Sequence, residues 1–126
     1  MSYGEEKISN ILKENNIYFE REKSFADLKH GLFRFDFYLP NDNIIIEFDG
    51  EQHWNFIKHF YKTRQDFMRA QENDRRKNSY CLANSIKLYR IPYWELNNIN
   101  ALKDLFQTKF LVTTKWWNDF LKPPKI

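Results

Sequence analysis

The chain has 126 residues and a formal net charge of +3, with 42% hydrophobic and 18% aromatic residues. This apolar composition excludes a disordered chain, and the length fits one domain over residues 1–126. No apolar run reaches the length of a membrane span, so we expect no membrane partner, and the N-terminus does not resemble a signal peptide. The single cysteine, Cys81, excludes an internal disulfide and a cysteine-built zinc site and suits a reducing cytoplasm. The mild positive charge permits nucleic acid as a partner without establishing it.

The first residues carry the signal of a helix start. Ser2 followed by Glu5 has the form of a capping box, and Ile8 and Leu12 continue it with a helical apolar stripe. We expect this helix to end near Asn15. Glu5 lies at the edge of the stripe and can reach the interior, so its spacing fits a simple cap and a member of a site equally well.

Three strands are predicted after this helix. Residues 17–25 alternate loosely and predict a first strand, to whose charges we assign no function, and residues 26–31 form a loop. Residues 32–39 alternate strictly, residues 40–43 have a turn composition, and residues 44–49 begin with three isoleucines. The last two strands therefore predict an antiparallel hairpin.

Two acids of this hairpin are predicted to face each other. If Leu39 pairs with Ile44, Asp36 lies directly opposite Glu47 on the same face. Side chains in such positions have Cβ atoms about 4.5–5.5 Å apart, and like charges there are destabilising. A compensating cation is then needed, which predicts a divalent-metal site; the alternative is a pair of solvated acids on an exposed face.

The residues of the hairpin also carry a family resemblance. RFDFYLP followed by IIEFDGEQH resembles the metal-binding hairpin of the PD-(D/E)xK nuclease superfamily, in which acids on neighbouring strands face each other. The lysine usually found two residues after the second acid is replaced here by Asp49. With FDGEQH, the chain is more similar to the very-short-patch-repair (Vsr-like) endonucleases and their phage homing-endonuclease relatives, which carry an E, D, x, H, D set. The resemblance covers roughly residues 2–93.

The resemblance implies a metal-dependent DNA endonuclease that uses Mg²⁺, with Mn²⁺ as a substitute. The implied catalytic residues are Asp36, Glu47, His53, Asp74 and Glu5. Asp36 and Glu47 would hold the metal, and Glu5 would complete its outer shell. His53 follows the strand after a glycine that permits a tight turn, and it would act as general base or acid. Asp74 would orient His53 or a water.

Asp49 has two possible roles in this interpretation. It is either a further metal ligand or the partner of Arg34, which the predicted register places opposite it. Nothing in the sequence chooses between these roles.

Cations and aromatics elsewhere are consistent with a DNA-binding face. Residues 54–62 mix rings with cations, and Thr63 with Asp66 should start a long helix that runs to about Ala83. On that helix Asp74 and Lys77 are surface neighbours, which fits an ordinary ion pair as well as a functional one. The candidate nucleic-acid contacts are Arg34, Gln52, Lys58, Lys77 and Arg90.

The end of the chain predicts one more strand and one more helix. Residues 86–93 form the strand, and Asn97 or Asn98 would cap a helix with apolar residues from Ile99 to Phe110 on one face. The tail with Trp116 and Trp117 would complete the core, pair two protomers in a homodimer, or wedge into DNA.

The predicted element order is α, β, β, β, α, β, α. This is an α/β fold with a mixed β-sheet flanked by helices, which matches a restriction-endonuclease-like core of αβββαβ plus a C-terminal helix. We expect a cytoplasmic location in a bacterium or a phage-infected host cell. Two other functions stay open, an inactive DNA-binding module of the same fold and an interaction protein that uses the aromatic tail.

Overall fold

The computed structural model describes residues 1–53, 55, 57 and 60–114. Its helices and strands follow the predicted order and are α1 (Tyr3–Glu14), β1 (Glu20–Ser24), β2 (Arg34–Leu39), β3 (Ile44–Asp49), α2 (Arg64–Ala83), β4 (Lys87–Pro92) and α3 (Leu102–Leu105). Short 3-10 turns lie at Lys29–Gly31, Glu51–His53, Tyr93–Asn98 and Thr108–Phe110. Within the described part of the chain, none of the helices combines the length and apolar character needed to cross a membrane.

The four strands form one mixed sheet in the order β1-β2-β3-β4. β1 pairs antiparallel with β2, and β2 pairs antiparallel with β3. β4 lies parallel to β3, and α2 forms the long crossover connection that a parallel pair needs. Leu39 pairs with Ile44, which confirms the register on which the facing of Asp36 and Glu47 was predicted. The protein is therefore an α/β protein with a mixed sheet.

Side-chain caps determine where the two long helices begin. The backbone N–H of Glu5 donates to Ser2 Oγ at 3.2 Å, and the N–H of Ser2 donates to the Glu5 carboxylate at 3.1 Å. This reciprocal pair is the predicted capping box. At the start of α2, Asp66 N–H donates to Thr63 Oγ1 at 3.1 Å. Each cap satisfies a backbone donor that has no partner within the helix.

Both faces of the sheet are covered by apolar side chains. Ile45 and Ile46 are consecutive on β3 and point to opposite faces, yet both are fully buried. On one face Ile46 packs with Ile8 and Leu12 of α1, and on the other Ile45 packs with Cys81 of α2. Burying each of these aliphatic side chains contributes about 1.5–3 kcal/mol. Helices on both faces explain why the isoleucine run of β3 does not alternate.

The long C-terminal helix predicted from the sequence is wrong. α3 has only four residues, between 3-10 turns, and its start is held by the Asp104 carboxylate, which accepts 2.9 Å hydrogen bonds from the N–H groups of Asn100 and Ala101. Ile99 and Phe110 are both fully buried. The segment bends around the sheet to bury both, and Val112 N–H then donates to Leu88 O at 2.8 Å on β4.

The predictions for Trp116 and Trp117 fall on residues 115–126, which lie outside the described residues. The first strand begins at Glu20 rather than at residue 17, since the segment before it packs against the core without pairing in the sheet. The other predicted strand and helix boundaries agree with the structure to within a few residues.

Candidate active site between the hairpin and two helices

A cavity of about 430 Å³ opens where the β2–β3 hairpin meets the start of α1 and the middle of α2. Six of the residues predicted from the sequence line it, namely Glu5, Asp36, Glu47, Gln52, His53 and Lys77. These residues come from five separate elements of the chain: α1, β2, β3, the 3-10 turn after β3, and α2. The fold therefore brings together most of the predicted site.

Backbone N–H groups of β2 and β3 hold the carboxylates of Asp36 and Glu47 in place. The N–H of Asp36 donates to Glu47 Oε1 at 2.6 Å, and the N–H of Phe48 donates to Asp36 Oδ2 at 2.8 Å. Burial raises the pKa of Asp36 well above its ordinary value, and the charge of Glu47 raises it further. The two carboxylates thus repel each other, as expected for acids that face each other on neighbouring strands.

Lys77 is the cation beside this pair. Its Nζ donates to Glu47 Oε2 at 2.8 Å and to the carbonyl of Arg34 at 2.7 Å, and only 12% of its side chain is exposed. Burial alone would lower the pKa of Lys77, but the Glu47 carboxylate outweighs it and raises the pKa. Lys77 was predicted as a nucleic-acid contact paired with Asp74. The structure instead directs it at Glu47, because α2 packs across the hairpin.

A third acid near Asp36 was missed in the sequence. One oxygen each of Glu5, Glu22 and Asp36 lies within 4.8 Å of the other two. Arg21 and Lys23 flank Glu22 on β1 and pair with Phe37 and Phe35 of β2. Glu22 therefore lies across from Asp36. The signal that could have found Glu22 is this β1–β2 register, which no turn between the strands fixes.

Arg21 reduces the repulsion within this acidic group. Its guanidinium lies 3.8 Å from Glu5 Oε2 and 3.7 Å from Glu22 Oε1, and its Nε donates to the carbonyl of Asp36 at 2.8 Å. Arg21 and Glu22 therefore lie at the acidic group, although no function was predicted for the charges of this strand.

His53 lies in the 3-10 turn that follows β3, and its ring is oriented by Asp74. Nδ1 lies 2.9 Å from Asp74 Oδ2 and 3.7 Å from Asp49 Oδ1. Burial lowers the pKa of His53, but the Asp49 and Asp74 carboxylates outweigh this and raise it. Burial raises the pKa of Asp74, whereas Arg90 and His53 lower it more, to about 2. Because an ionised carboxylate can only accept, Nδ1–H donates a hydrogen bond to Asp74, which leaves Nε2 as the reactive nitrogen.

Two predictions about Arg90 and Asp49 are corrected by the structure. Arg90 is only 1% exposed, so it is not placed to contact a phosphate backbone. Its Nη1 lies 2.8 Å from Asp49 Oδ1, so Asp49 pairs with Arg90 and not with Arg34. Asp49 is 2% exposed and does not line the cavity, which disfavours it as a metal ligand. A buried carboxylate needs a buried partner, and the adjacent parallel strand supplies it.

The structure describes two of the three remaining predicted nucleic-acid contacts. Arg34 is exposed at the start of β2, and Gln52 lines the cavity. Lys58 lies outside the described residues.

Comparisons with known proteins give two distant relatives. An uncharacterized protein, 307L, of Invertebrate iridescent virus 6 is 36% identical over 67 residues, which are 52% of this chain and 34% of that protein. Uncharacterized protein 094L of Frog virus 3 (isolate Goorha) is 36% identical over 59 residues, 46% of this chain and 38% of its own length. No protein-family model and no solved structure matches the chain. The chain thus matches little more than a third of the length of either relative.

Proposed function

We propose that the protein is a metal-dependent DNA endonuclease that hydrolyses phosphodiester bonds. The observation that carries the proposal is that His53, oriented by Asp74, and the Asp36–Glu47–Lys77 group line the same cavity. His53 with Asp74 offers a general base or acid. The Asp36–Glu47–Lys77 group offers charged side chains of both signs, of the kind used around a reacting phosphate. We further propose that the sheet and its flanking helices are a restriction-endonuclease-like core. The antiparallel β2–β3 hairpin, with β4 parallel to β3, supports this proposal.

The carboxylates near Asp36 fit a hard divalent cation. Glu5, Glu22 and Asp36 together offer oxygen ligands within 4.8 Å of one another, the ligand type that Mg²⁺ prefers. Both oxygens of Glu47 accept hydrogen bonds, from Asp36 N–H and from Lys77, so Glu47 orients the group and adds negative charge. When bound, Mg²⁺ or Mn²⁺ would polarise the phosphate and lower the pKa of a water. In this assignment Glu5 and Glu22 replace Glu47 and Asp49 as the metal ligands beside Asp36.

The chain's own groups then have distinct tasks. Because Nδ1 of His53 donates to Asp74, Nε2 accepts a proton from the attacking water or, when protonated, returns one to the leaving oxygen. Lys77 carries positive charge within the same cavity, where it offsets charge that develops on the phosphate. Lys77, on α2, thereby supplies the positive charge that a lysine in the place of Asp49 on β3 would supply.

DNA as the substrate rests on the resemblance and on two polar side chains in and near the cavity. Gln52 lines the cavity, and exposed Arg34 precedes Asp36 by two residues on β2. Such side chains position a nucleic acid through its phosphates without reading its sequence. A single catalytic site of this kind cuts one strand in each encounter, so double-strand cleavage would require a homodimer.

The test is incubation with supercoiled plasmid in the presence of Mg²⁺, Mn²⁺ or EDTA. Wild-type protein should nick the plasmid with either metal but not with EDTA. His53→Gln and Asp36→Asn should each lose at least about 100-fold in rate. Their matched controls are His30→Gln and Asp42→Asn, since both of these residues are exposed in turns.

Any of three results would count against the proposal. Full cleavage by His53→Gln or Asp36→Asn would exclude the mechanism. Metal-independent nicking that persists in both variants would indicate a contaminating nuclease. DNA binding without any cleavage would instead support the inactive DNA-binding module.

A further inference from the structure

Arg90 lies at the centre of the charged groups behind the cavity. Its side chain is among the largest that are fully buried, with 1% exposed. Nη1 lies 2.8 Å from Asp49 Oδ1, Nε donates to Asn78 Oδ1 at 2.7 Å, and Nη2 lies 3.5 Å from Asp74 Oδ1. Glu47 Oε2 is 3.9 Å from Nη1. One guanidinium on β4 therefore contacts residues near the end of β3 and in α2.

The geometry of a guanidinium makes these contacts directional. It is planar and rigid and presents its five N–H donors in a fixed fork, so contacts on several sides determine its position and those of its acceptors. A lysine ammonium could replace the charge but could not span the same three acceptors at once. The side chain at this position therefore sets the positions of carboxylates as well as their charge.

Asp74 is divided between Arg90 and His53. Its Oδ1 lies 3.5 Å from Arg90 Nη2, its backbone carbonyl lies 3.4 Å from the same nitrogen, and its Oδ2 lies 2.9 Å from His53 Nδ1. Each carboxylate oxygen thus has its own partner on a different element. The contact with Arg90 fixes the plane of the carboxylate that orients the imidazole.

Without Arg90, three acids would be left close together and buried. Glu47 and Asp49 are each 2% exposed, and Asp74 is 9% exposed. Buried like charges do not all stay ionised, and an Asp74 that became protonated would no longer hold the Nδ1 proton of His53. The guanidinium thus keeps Asp74 in the form that orients the ring.

We infer that Arg90 is a positioning residue for the proposed nuclease reaction, which fixes Asp74 so that His53 presents Nε2 to the cavity. The inference rests on the proposed function for its consequence in catalysis, but its structural part does not. Arg90 itself lies outside the cavity and acts through Asp74 and His53.

The test compares Arg90→Lys with the exposed control Arg76→Lys. Circular dichroism first establishes that the variants are folded. Nitrogen-15 NMR of the imidazole side chains in metal-free protein, recorded at a pH above the raised pKa of His53 so that the ring is neutral and assigned with His30→Gln and His53→Gln, then reports the tautomer of His53. Wild type and Arg76→Lys should hold the proton on Nδ1 in nearly all molecules. Arg90→Lys should give a mixture of tautomers, and Asp74→Asn should give a similar loss of the Nδ1 form.

Plasmid nicking adds the catalytic readout. Arg90→Lys should lower kcat by about 100-fold with little change in KM for DNA, because the DNA-contacting residues are unchanged. A folded Arg90→Lys that keeps the wild-type tautomer would overturn the inference even if cleavage falls. If the tautomer changes while wild type shows no cleavage, the positioning role stands and the proposed function fails.

A second variant covers the case in which Arg90→Lys does not fold. Asn78 holds Nε of Arg90, and its Nδ2 has no hydrogen-bond partner within the described residues. Asn78→Ser therefore loosens the guanidinium while keeping its charge. It should shift the tautomer of His53 in the same direction but less far, and an unchanged tautomer would contradict the positioning role.

Discussion

His53 and Asp74 are joined by a contact of 2.9 Å between Nδ1 and Oδ2, although 21 positions separate them in the chain. His53 lies in the 3-10 turn that follows β3, and Asp74 lies in the middle of α2. This contact fixes which nitrogen of the imidazole is reactive. It is also the most direct target for mutation.

Replacing Asp74 by Asn should lower the pKa of His53, because the carboxylate charge and its hydrogen bond both favour the protonated ring. The pKa of His53, followed by NMR in metal-free protein, should fall relative to wild type and to the control Asp66→Asn. Cleavage by Asp74→Asn should fall by about 100-fold or more. An unchanged His53 pKa would mean that the contact is absent in solution.

Asp36 should make the protein less stable as the pH rises. Its pKa in the folded protein is raised, so the folded state binds more protons than the unfolded state above pH 3.8, and stability is lost as the pH rises toward the folded pKa. Asp36→Asn removes this cost while its amide oxygen can still accept from Phe48 N–H. The variant should therefore have a higher Tm than wild type at pH 8, in metal-free buffer.

The Tm advantage of Asp36→Asn should shrink as the pH falls below the folded pKa of Asp36, because the wild-type carboxyl is then neutral too. The same variant should not cleave DNA. A lower Tm at every pH would show that the acid stabilises the fold.

Asp74 should contribute stability with the opposite pH dependence. Its pKa is lowered from 3.8 to about 2 in the folded protein, so its contribution is present above pH 3.8 and is lost as the pH falls toward 2. The difference corresponds to roughly 2 kcal/mol. Urea unfolding between pH 5 and pH 2 should show a steeper loss of stability in wild type than in Asp74→Asn. Parallel curves would contradict the lowered pKa.

Lys77 and Glu47 should behave as a buried pair. Lys77→Met leaves the Glu47 carboxylate buried without its cation, and should destabilise the fold by about 3–5 kcal/mol. The double variant Lys77→Met with Glu47→Gln should recover much of this loss without recovering cleavage. A double-mutant cycle in urea measures the coupling. Additive effects would mean that the two side chains do not interact.

Gly4 should control where Glu5 lies. A Cβ atom added at Gly4 would be 2.4 Å from the ring of Phe48, so Gly4→Ala should push the start of α1 away from β3. We expect a loss of about 1–3 kcal/mol in stability and weaker Mn²⁺ binding, measured by calorimetry. Gly4→Ala combined with Phe48→Leu should restore part of both. Mn²⁺ affinity equal to wild type in the single variant would separate Glu5 from the proposed metal site.

Local sequence signals gave most of the fold and half of the site. The capping residues Ser2 and Thr63 and the alternation of β2 depend only on near neighbours, so the helix starts and the hairpin register were predictable. The register in turn placed Asp36 beside Glu47. The C-terminal segment was not predictable, because the burial of Ile99 and Phe110 against the sheet overrides a helical pattern.

What the sequence by itself determined is the strands, the two long helices, their order and the pair of acids on the hairpin. What only the tertiary structure decided is the partner of each charge: Lys77 with Glu47, Arg90 with Asp49 and Asp74, and Arg21 with Glu5 and Glu22. The physical reason is that a buried charge must find an opposite charge or hydrogen-bond partner wherever the packed elements supply one, and that choice depends on distances between elements that are remote in the chain.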